Sequence, residues 1–265
     1  MTGSPRETCA QSLISGHGPL NSGQQQHGFL QRVFTLVRQP TSRIASGLVH
    51  NLHDCPRLTQ KFKIDEHSNV AKTMTGFCQA VSTYHAQLLG TTNNTTTTTT
   101  TTPIRDYYNV WGQNLSIPAL VSDYAQCVRG CGTNMLSGRP CGGTVHNKNV
   151  QPSAAVSHRI QQMAFVGVTD QWEETLCAFH HLFPRQNGQA YEELAVNTRL
   201  SPFKTCVHQV EDILQTLGTS NDDPDGELFR QGQARLQADL PPVCRDPVQR
   251  RRYLASLPFQ TQLEL

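Results

Sequence analysis

Apolar residues along this chain form two short continuous runs and several stretches of helical spacing, and the two kinds of segment alternate. Residues 33–37 and 164–168 have the length and β-branched content of buried strands. Helical spacing predicts helices from 42 through the fifties and at 69–89, 115–137, 153–163, 202–217 and 225–240. A further helix is predicted to begin at a Thr169-Asp170 cap and to run through 182. Strands that alternate with helices predict an α/β fold, in which helices cover both faces of a parallel sheet.

Polar segments between these elements set the expected domain organisation. Residues 1–28 are rich in Gly, Ser, Gln and His and are predicted to be irregular. The tract 90–103 contains eight consecutive threonines, which do not build a core, so we expect an exposed, mobile insertion and not a domain boundary. One α/β domain is therefore expected over 29–240, followed by a basic C-terminal tail at 241–265.

Charge and hydropathy exclude some classes of function. A formal net charge of +2 argues against nucleic-acid binding by bulk electrostatics. No apolar run approaches the length of about 18 residues that a membrane-spanning helix needs. The first residues also lack the basic start and apolar core of a signal peptide.

Cysteines and N-glycosylation sequons nevertheless indicate a secretory compartment. The chain has 9 cysteines, which is many for a cytosolic protein of this size. Sequons begin at Asn93 and Asn94, in Thr-rich sequence where chance matches are frequent, and at Asn114 in Asn-Leu-Ser. An odd cysteine count leaves at least one thiol without a partner within the chain.

Two kinds of site could use the central cysteines. Cys127, Cys131, Cys141 and His146 could be drawn as a zinc set, although their spacing fits no common zinc finger. A disulfide among these cysteines, or with Cys177 or Cys206, is the favoured alternative in an oxidising compartment, and the pairing stays open.

Residues 33–46 place a strand, a basic residue, a turn and a helix in the order that builds an anion site. The strand ends on Arg38, and Pro40 turns the chain into the helix. That helix carries two serines and a second arginine, which are Ser42, Ser46 and Arg43. A helix N-terminus offers unpaired N–H groups and the positive end of a dipole, and a guanidinium adds a forked charge. The plainer alternative is an ordinary strand-to-helix junction whose arginine pairs with a surface carboxylate.

The segment Arg38-Gln39-Pro40-Thr41-Ser42-Arg43-Ile44-Ala45-Ser46 resembles the R-D-P-x-x-R-x-x-S element of the Golgi-type carbohydrate sulfotransferases. Gln39 stands where that family has Asp. In the family this element grips the 3′-phosphate of the donor 3′-phosphoadenosine 5′-phosphosulfate (PAPS). The resemblance implies that Arg38 and Ser46 bind this phosphate, that PAPS is the co-substrate without a metal, and that a glycan is the acceptor.

Three further segments are similar to the heparan and uronyl 2-O-sulfotransferase branch of that family. Residues 164–183 resemble its late strand–helix unit, 225–240 its terminal helix and 131–141 its mid-chain segment. The resemblance covers roughly residues 14–240. It implies a P-loop-NTPase-like parallel sheet flanked by helices, in a membrane-anchored protein of the Golgi lumen.

The resemblance also suggests a base and a second donor contact. Sulfuryl transfer requires a base for the hydroxyl proton, and Gly16-His17 is similar to the segment that supplies this histidine in the family. Arg199 and Lys204 lie where a late basic loop of the family clamps the donor, and Arg199 is the better candidate because a guanidinium suits phosphate. For His17 and Arg199 the alternative is a loop side chain in solvent.

One part of the family's donor site has no counterpart before His17. The Lys-Thr loop for the 5′-phosphosulfate is missing, so we expect an N-terminally incomplete fold with half a donor site, and inactivity of the chain as given is one expected outcome. The expected function is sulfuryl transfer from PAPS to a glycan hydroxyl. The alternative is a catalytically dead secretory domain that binds glycans or partners, and a P-loop kinase is disfavoured because no G-x-x-x-x-G-K-S/T motif occurs.

A second segment, 245–250, reads Arg-Asp-Pro-Val-Gln-Arg and matches the R-D-P-x-x-R pattern even better. It follows a double proline, which cannot supply a central strand, and Tyr253 stands where the serine should be. We therefore expect 245–252 to be a solvated basic surface.

Overall fold

A computed structural model of the chain describes residues 34–50, 52, 55–62, 70–92, 107–111, 113–139, 141, 154–183, 203–219 and 221–257. The strands and helices within these ranges, in chain order, are β1 Phe34–Val37, α1 Pro40–Val49, α2 Pro56–Phe62, α3 Val70–Thr92, β2 Tyr107–Val110, β3 Gln113–Ser116, α4 Ile117–Cys127, α5 Cys131–Leu136, α6 Ala154–Gln162, β4 Phe165–Val168, α7 Trp172–Leu182, α8 Lys204–Leu217, α9 Asp225–Asp239, α10 Pro242–Arg245 and α11 Pro247–Ser256. A 3₁₀ turn, Thr169–Gln171, joins β4 to α7.

The two apolar runs form a parallel pair. β1 and β4 lie side by side, from Phe34 opposite Phe165 to Val37 opposite Val168. All four residues of β4 are buried, as the continuous apolar run predicts for a strand covered on both faces.

Helices cover the two faces of this sheet. On one face the ring of Phe179, from α7, packs edge-on against Phe34 and Phe165, with ring centroids 5.5 Å apart in both pairs. On the other face α9 reaches β1 at Gly232, where an added Cβ would collide with the side chain of Val37. The close approach of this helix therefore depends on a residue without a side chain. The predicted α/β class is confirmed in this form: a mostly helical chain with a small two-stranded parallel sheet and helices on either side.

Several element boundaries differ from the sequence prediction. The helix expected through the fifties ends at Val49, because Leu52 adopts a left-handed φ of 55° and Pro56 starts a new helix. The single helix predicted at 115–137 is interrupted at Gly130, which has a φ of 65°, and its first residues belong instead to the hairpin β2–β3. The other predicted helices lie within a few residues of the observed ones.

The buried side chains form two apolar clusters. The first packs α1, α3, α4, α8 and the hairpin together, and its largest fully buried members include Phe77, Tyr124, Ile44, Leu48, Ile213 and Leu214. The second surrounds the parallel sheet and includes Ile160, Met163, Phe165, Val168 and Leu236. α1, which begins directly after β1, is therefore held mainly by the first cluster, while β1 belongs to the second.

Every cysteine in the described part of the chain is disulfide-bonded. The pairs are Cys55–Cys127, Cys78–Cys206, Cys131–Cys141 and Cys177–Cys244. The predicted disulfide among the central cysteines is confirmed by Cys131–Cys141. The remaining cysteine of the sequence, Cys9, lies outside the described residues.

The C-terminal segment differs from the expected solvated surface. α10 and α11 pack against α7, to which the Cys177–Cys244 disulfide ties them. Arg250 is buried, and its guanidinium pairs with Glu174 at 2.9 Å and with Glu173 at 3.4 Å. The prediction of a solvated side chain is therefore wrong for Arg250, whereas Arg251 and Arg252 are exposed as expected.

No helix among the described residues is both long enough and apolar enough to span a bilayer. Residues 1–28 and most of the Thr-rich tract, from Asn93 onward, lie outside the described residues, so the proposed domain division stays a prediction there. The first residues of the tract, through Thr92, continue α3.

Candidate anion-binding site

The candidate site lies where the carboxyl ends of the two parallel strands meet. Arg38 and Gln39 follow β1, and the 3₁₀ turn Thr169–Gln171 follows β4. The two loops touch, because the backbone N–H of Gln39 donates to Asp170 Oδ2 at 3.1 Å. A crevice outside the carboxyl ends of parallel strands is the usual position for a ligand in an open α/β sheet.

Arg38 and Ser46 remain available as hydrogen-bond donors within the part of the chain that the structure describes. Both side chains are half-buried, and neither has a hydrogen-bond or ion-pair partner among the described residues. The plain alternative, in which Arg38 pairs with a surface carboxylate, is therefore not what the described residues show. Pro40 is the first residue of α1 and fixes the turn between Arg38 and the helix.

The two serines of α1 define the side of the helix on which an anion could bind. Ser42 and Ser46 are four residues apart and share one face, and both are half-buried. Ser46 lies about 9 Å along the helix axis from Pro40. An anion held by both Arg38 and Ser46 would therefore lie beside the first two turns of α1.

A carboxylate from the loop after β4 lies at the N-terminal end of α1 and binds the N–H of the N-cap residue. Gln39, the N-cap residue of α1, makes no side-chain cap, and Asp170 from the other strand's loop accepts its N–H instead. The hydroxyl of Thr169 donates to the same Asp170 oxygen at 3.2 Å. A negative charge at this position stabilises the helix dipole, and it also repels an incoming anion.

Arg43 has a structural role. One terminal nitrogen, Nη2, donates to the carbonyl of Val128 at 3.1 Å and lies 3.2 Å from Asp223 and 3.1 Å from Asp225. The two carboxyl side chains are only 2% and 3% exposed. We call Arg43, Asp223 and Asp225 the Arg43 clamp. Nη2 of Arg43 is committed to these three groups and Nε is buried without a hydrogen-bond partner among the described residues, so we assign Arg43 a structural role and do not count it among the candidate anion ligands.

The two aspartates of the Arg43 clamp also bind the turn that precedes α5. Asp223 accepts the N–H of Gly130 at 3.0 Å, and Asp225 accepts the N–H groups of Gly132 and Thr133 at 2.8 and 2.7 Å. Burial raises the pKa of Asp223, and the neighbouring Asp225 carboxylate raises it further, while Arg43 opposes the increase. The clamp thus ties α1 to two distant parts of the chain.

Of the other candidate site residues, the structure describes only Lys204. His17 and Arg199 lie outside the described residues. Lys204, an alternative to Arg199, is exposed at the start of α8, whose far end leads to the Arg43 clamp. The 14 residues of α8 separate Lys204 from that end by about 20 Å.

The sequence predicted Asp170 as part of a helix cap, whereas in the structure the N-cap residue of α7 is Gln171, which makes no side-chain cap. The contact of Asp170 with Gln39 and the two aspartates of the clamp were not predicted. The signals were present, because Asp170 follows a buried strand and the string Asp222-Asp223-Pro224-Asp225 precedes a helix. Acidic residues in such positions usually cap their own helix, so nothing local indicated that these carboxylates would bind Gln39 or Arg43.

The zinc set drawn from the sequence is wrong. Cys127 is bonded to Cys55, and Cys131 is bonded to Cys141, so these sulfurs are not available as thiolate ligands. Among the residues that the structure describes, no cluster of three or more His, Cys, Asp or Glu side chains could hold a metal ion.

Comparison of the chain with protein-family models, with curated proteins and with solved structures gives no match. Any function must therefore be argued from the site itself.

Proposed function

We propose that this chain belongs to the PAPS-dependent carbohydrate sulfotransferases and that Arg38 and Ser46 bind the 3′-phosphate of the donor. The observation that carries the proposal is the half-buried Arg38, which has no described partner, at the end of a parallel strand and beside a helix with serine hydroxyls on one face. Guanidinium and hydroxyl donors together suit a phosphate, because charge-assisted hydrogen bonds are the stronger ones. The P-loop-like arrangement of the sheet is part of the same proposal.

The proposed reaction moves a sulfuryl group to a glycan hydroxyl. A bond forms between the acceptor oxygen and sulfur, and the bond from sulfur to the bridging phosphate oxygen breaks, which releases adenosine 3′,5′-bisphosphate. The hydroxyl proton passes to a base, the role proposed for His17, and Arg199 is proposed as a further donor contact. Arg38 binds a phosphate that is unchanged by the reaction, so its main contribution is to donor affinity and position.

The disulfides support the proposed compartment. Four cross-links in the described residues fit a protein that folds in an oxidising lumen. The Golgi lumen, with the protein held by a membrane anchor, is the location that the family resemblance adds to this proposal.

Replacing Arg38 with alanine tests the donor site directly. We expect the wild-type chain to bind adenosine 3′,5′-bisphosphate weakly in titration calorimetry, and the Arg38→Ala variant to bind about 10- to 100-fold more weakly. That range corresponds to the loss of one charge-assisted hydrogen bond, about 1.5–3 kcal/mol. Arg252→Ala, which removes an exposed arginine from α11, is the matched control and should bind as the wild type does. Equal affinities for wild type and Arg38→Ala would contradict the site assignment.

The second candidate function is a binding domain without catalysis, and Asp170 is the observation that favours it. A carboxylate at the N-terminus of α1 opposes the binding of a second anion nearby. Transfer of labelled sulfate from PAPS to heparan or chondroitin separates the two candidates: incorporated label supports the enzyme, and nucleotide or glycan binding without label supports the binding domain.

Replacing Asp170 with asparagine should strengthen anion binding. The amide oxygen of asparagine can still accept the Gln39 N–H, so the contact between the two loops is retained while the charge is removed. We expect the affinity for adenosine 3′,5′-bisphosphate to rise about five-fold, since repulsion between charges a few ångströms apart near water is about 1 kcal/mol. Calorimetry at low and high salt would check this, because screening should reduce the difference. Weaker binding by Asp170→Asn would mean that Asp170 organises the site and does not compete for it.

A further inference from the structure

The hairpin β2–β3 has one face on the protein core and one face in solvent. Tyr108 and Val110 point inward and are buried, and the turn residue Trp111 packs on Phe77 with a ring-centroid distance of 5.7 Å. The opposite face carries Tyr107, which is 56% exposed, and Asn109. This alternation follows from the two-residue period of a strand.

Asn114 lies on the solvent face of this hairpin and begins an Asn-Leu-Ser sequon. It is exposed and pairs across the sheet with Asn109, which is also exposed. Its side chain has no partner among the described residues. A large substituent on this amide would therefore extend into solvent without displacing any described packing contact.

The third residue of the sequon, Ser116, has a second role in the fold. It is the N-cap of α4, and its hydroxyl oxygen accepts the N–H of Ala119 at 3.3 Å. The capping role alone is enough to explain why a serine stands at position 116. A test of glycosylation must therefore separate the effect of the cap from that of the sequon.

We propose that Asn114 is a site of N-linked glycosylation. The modification joins the Asn114 side-chain nitrogen to the first sugar carbon of a lipid-linked oligosaccharide diphosphate. The bond from that carbon to the phosphate oxygen breaks, the lipid diphosphate leaves, and the amide nitrogen loses one proton. The four disulfides support passage through the compartment where this chemistry occurs. The proposal does not depend on sulfuryl transfer or on Arg38.

A glycan on Asn114 would lie beside the strands of a two-stranded sheet. In the described part of the chain β2 and β3 form a two-stranded sheet, so each has a single neighbour. Exposed edges are templates for unwanted pairing between chains, and a bulky hydrophilic substituent beside them hinders it.

The test uses the full chain, secreted from a eukaryotic cell behind a cleavable leader. Tryptic peptides are treated with peptide N-glycosidase in heavy-oxygen water, which marks each formerly glycosylated asparagine as a labelled aspartate. We expect label at Asn114 in the wild type and its loss in Asn114→Gln. Site-specific mapping is needed because Asn93 and Asn94 also begin sequons.

Two variants of Ser116 separate the sequon from the cap. Ser116→Thr keeps both, so label at Asn114 should persist. Ser116→Asp keeps an oxygen acceptor for the Ala119 N–H and destroys the sequon, so label should disappear while the thermal midpoint stays close to that of the wild type. An unlabelled Asn114 in the secreted wild-type protein, whatever the state of Asn93 and Asn94, would overturn the proposal, and so would label that persists in Ser116→Asp.

Discussion

Replacing Arg43 with alanine is expected to lower the free energy of unfolding by about 3–5 kcal/mol, because it removes the only described cation that faces two buried carboxylates. Asp223 and Asp225 are nearly inaccessible to water, so their charges cannot be compensated by solvent. Burial and the neighbouring Asp225 carboxylate raise the pKa of Asp223 even with Arg43 present. Without Arg43, protonation of one aspartate is the remaining way to relieve the repulsion.

Urea unfolding followed by circular dichroism would measure this effect, with two comparison variants. Arg43→Lys keeps the charge but cannot present a guanidinium to Val128 and both carboxylates, so we expect an intermediate loss. Arg230→Ala breaks an exposed ion pair with Glu227, 69% and 41% exposed, and should lower stability by less than about 1 kcal/mol. A loss in Arg43→Ala no larger than that in Arg230→Ala would show that the clamp contributes little.

The Arg43 clamp also explains how the candidate site is positioned. α1 packs mainly in the first apolar cluster, while β1 and β4 belong to the second. Arg43 reaches from α1 to Asp223 and Asp225, at the start of the helix that covers β1. The clamp therefore joins the two clusters through the helix that directly follows Arg38 and Gln39.

Local sequence signals predicted the strands and the helix of this site. A β-branched apolar run marked β1 and β4, and a proline in the first turn marked α1. These signals act over a few residues, so the sequence is sufficient to identify them. The same reasoning supplied Arg38 as a candidate, whereas Ser46 became one through the resemblance to the sulfotransferase element.

The contacts between distant segments could not be predicted in this way. Gln39 and Asp170 are 131 positions apart, and Arg43 and Asp223 are 180 positions apart. Which carboxylate an arginine pairs with depends on how the clusters pack, and a single sequence does not contain that information in any local pattern. The hairpin β2–β3 was also not predicted. Its strands have four residues each, which is too few for an alternating apolar pattern to be distinguished from the helical pattern of the neighbouring segment.

The Cys78–Cys206 disulfide is expected to contribute the largest single cross-link stabilisation. It joins α3 to α8 across a sequence separation of 128, whereas Cys131–Cys141 closes a separation of only 10. A cross-link stabilises mainly by restricting the unfolded chain, and the effect grows with loop length. We expect the double variant Cys78→Ala/Cys206→Ala to lose about 4–5 kcal/mol of unfolding free energy, on the loop-entropy scale for loops on the order of 100 residues.

The double variant Cys131→Ala/Cys141→Ala is the matched control, because each pair has one buried and one half-buried cysteine. The packing lost on truncation is therefore similar in the two variants, and their difference in unfolding free energy, about 2 kcal/mol, reports loop length. Equal losses would contradict the entropic argument.

The expected loss is a large part of the stability of an ordinary domain, about 5–15 kcal/mol, so a chain that cannot form Cys78–Cys206 should accumulate poorly. We therefore expect more folded wild-type protein to be recovered from an oxidising compartment than from a reducing one. This difference in recovery should be smaller for the Cys78→Ala/Cys206→Ala variant.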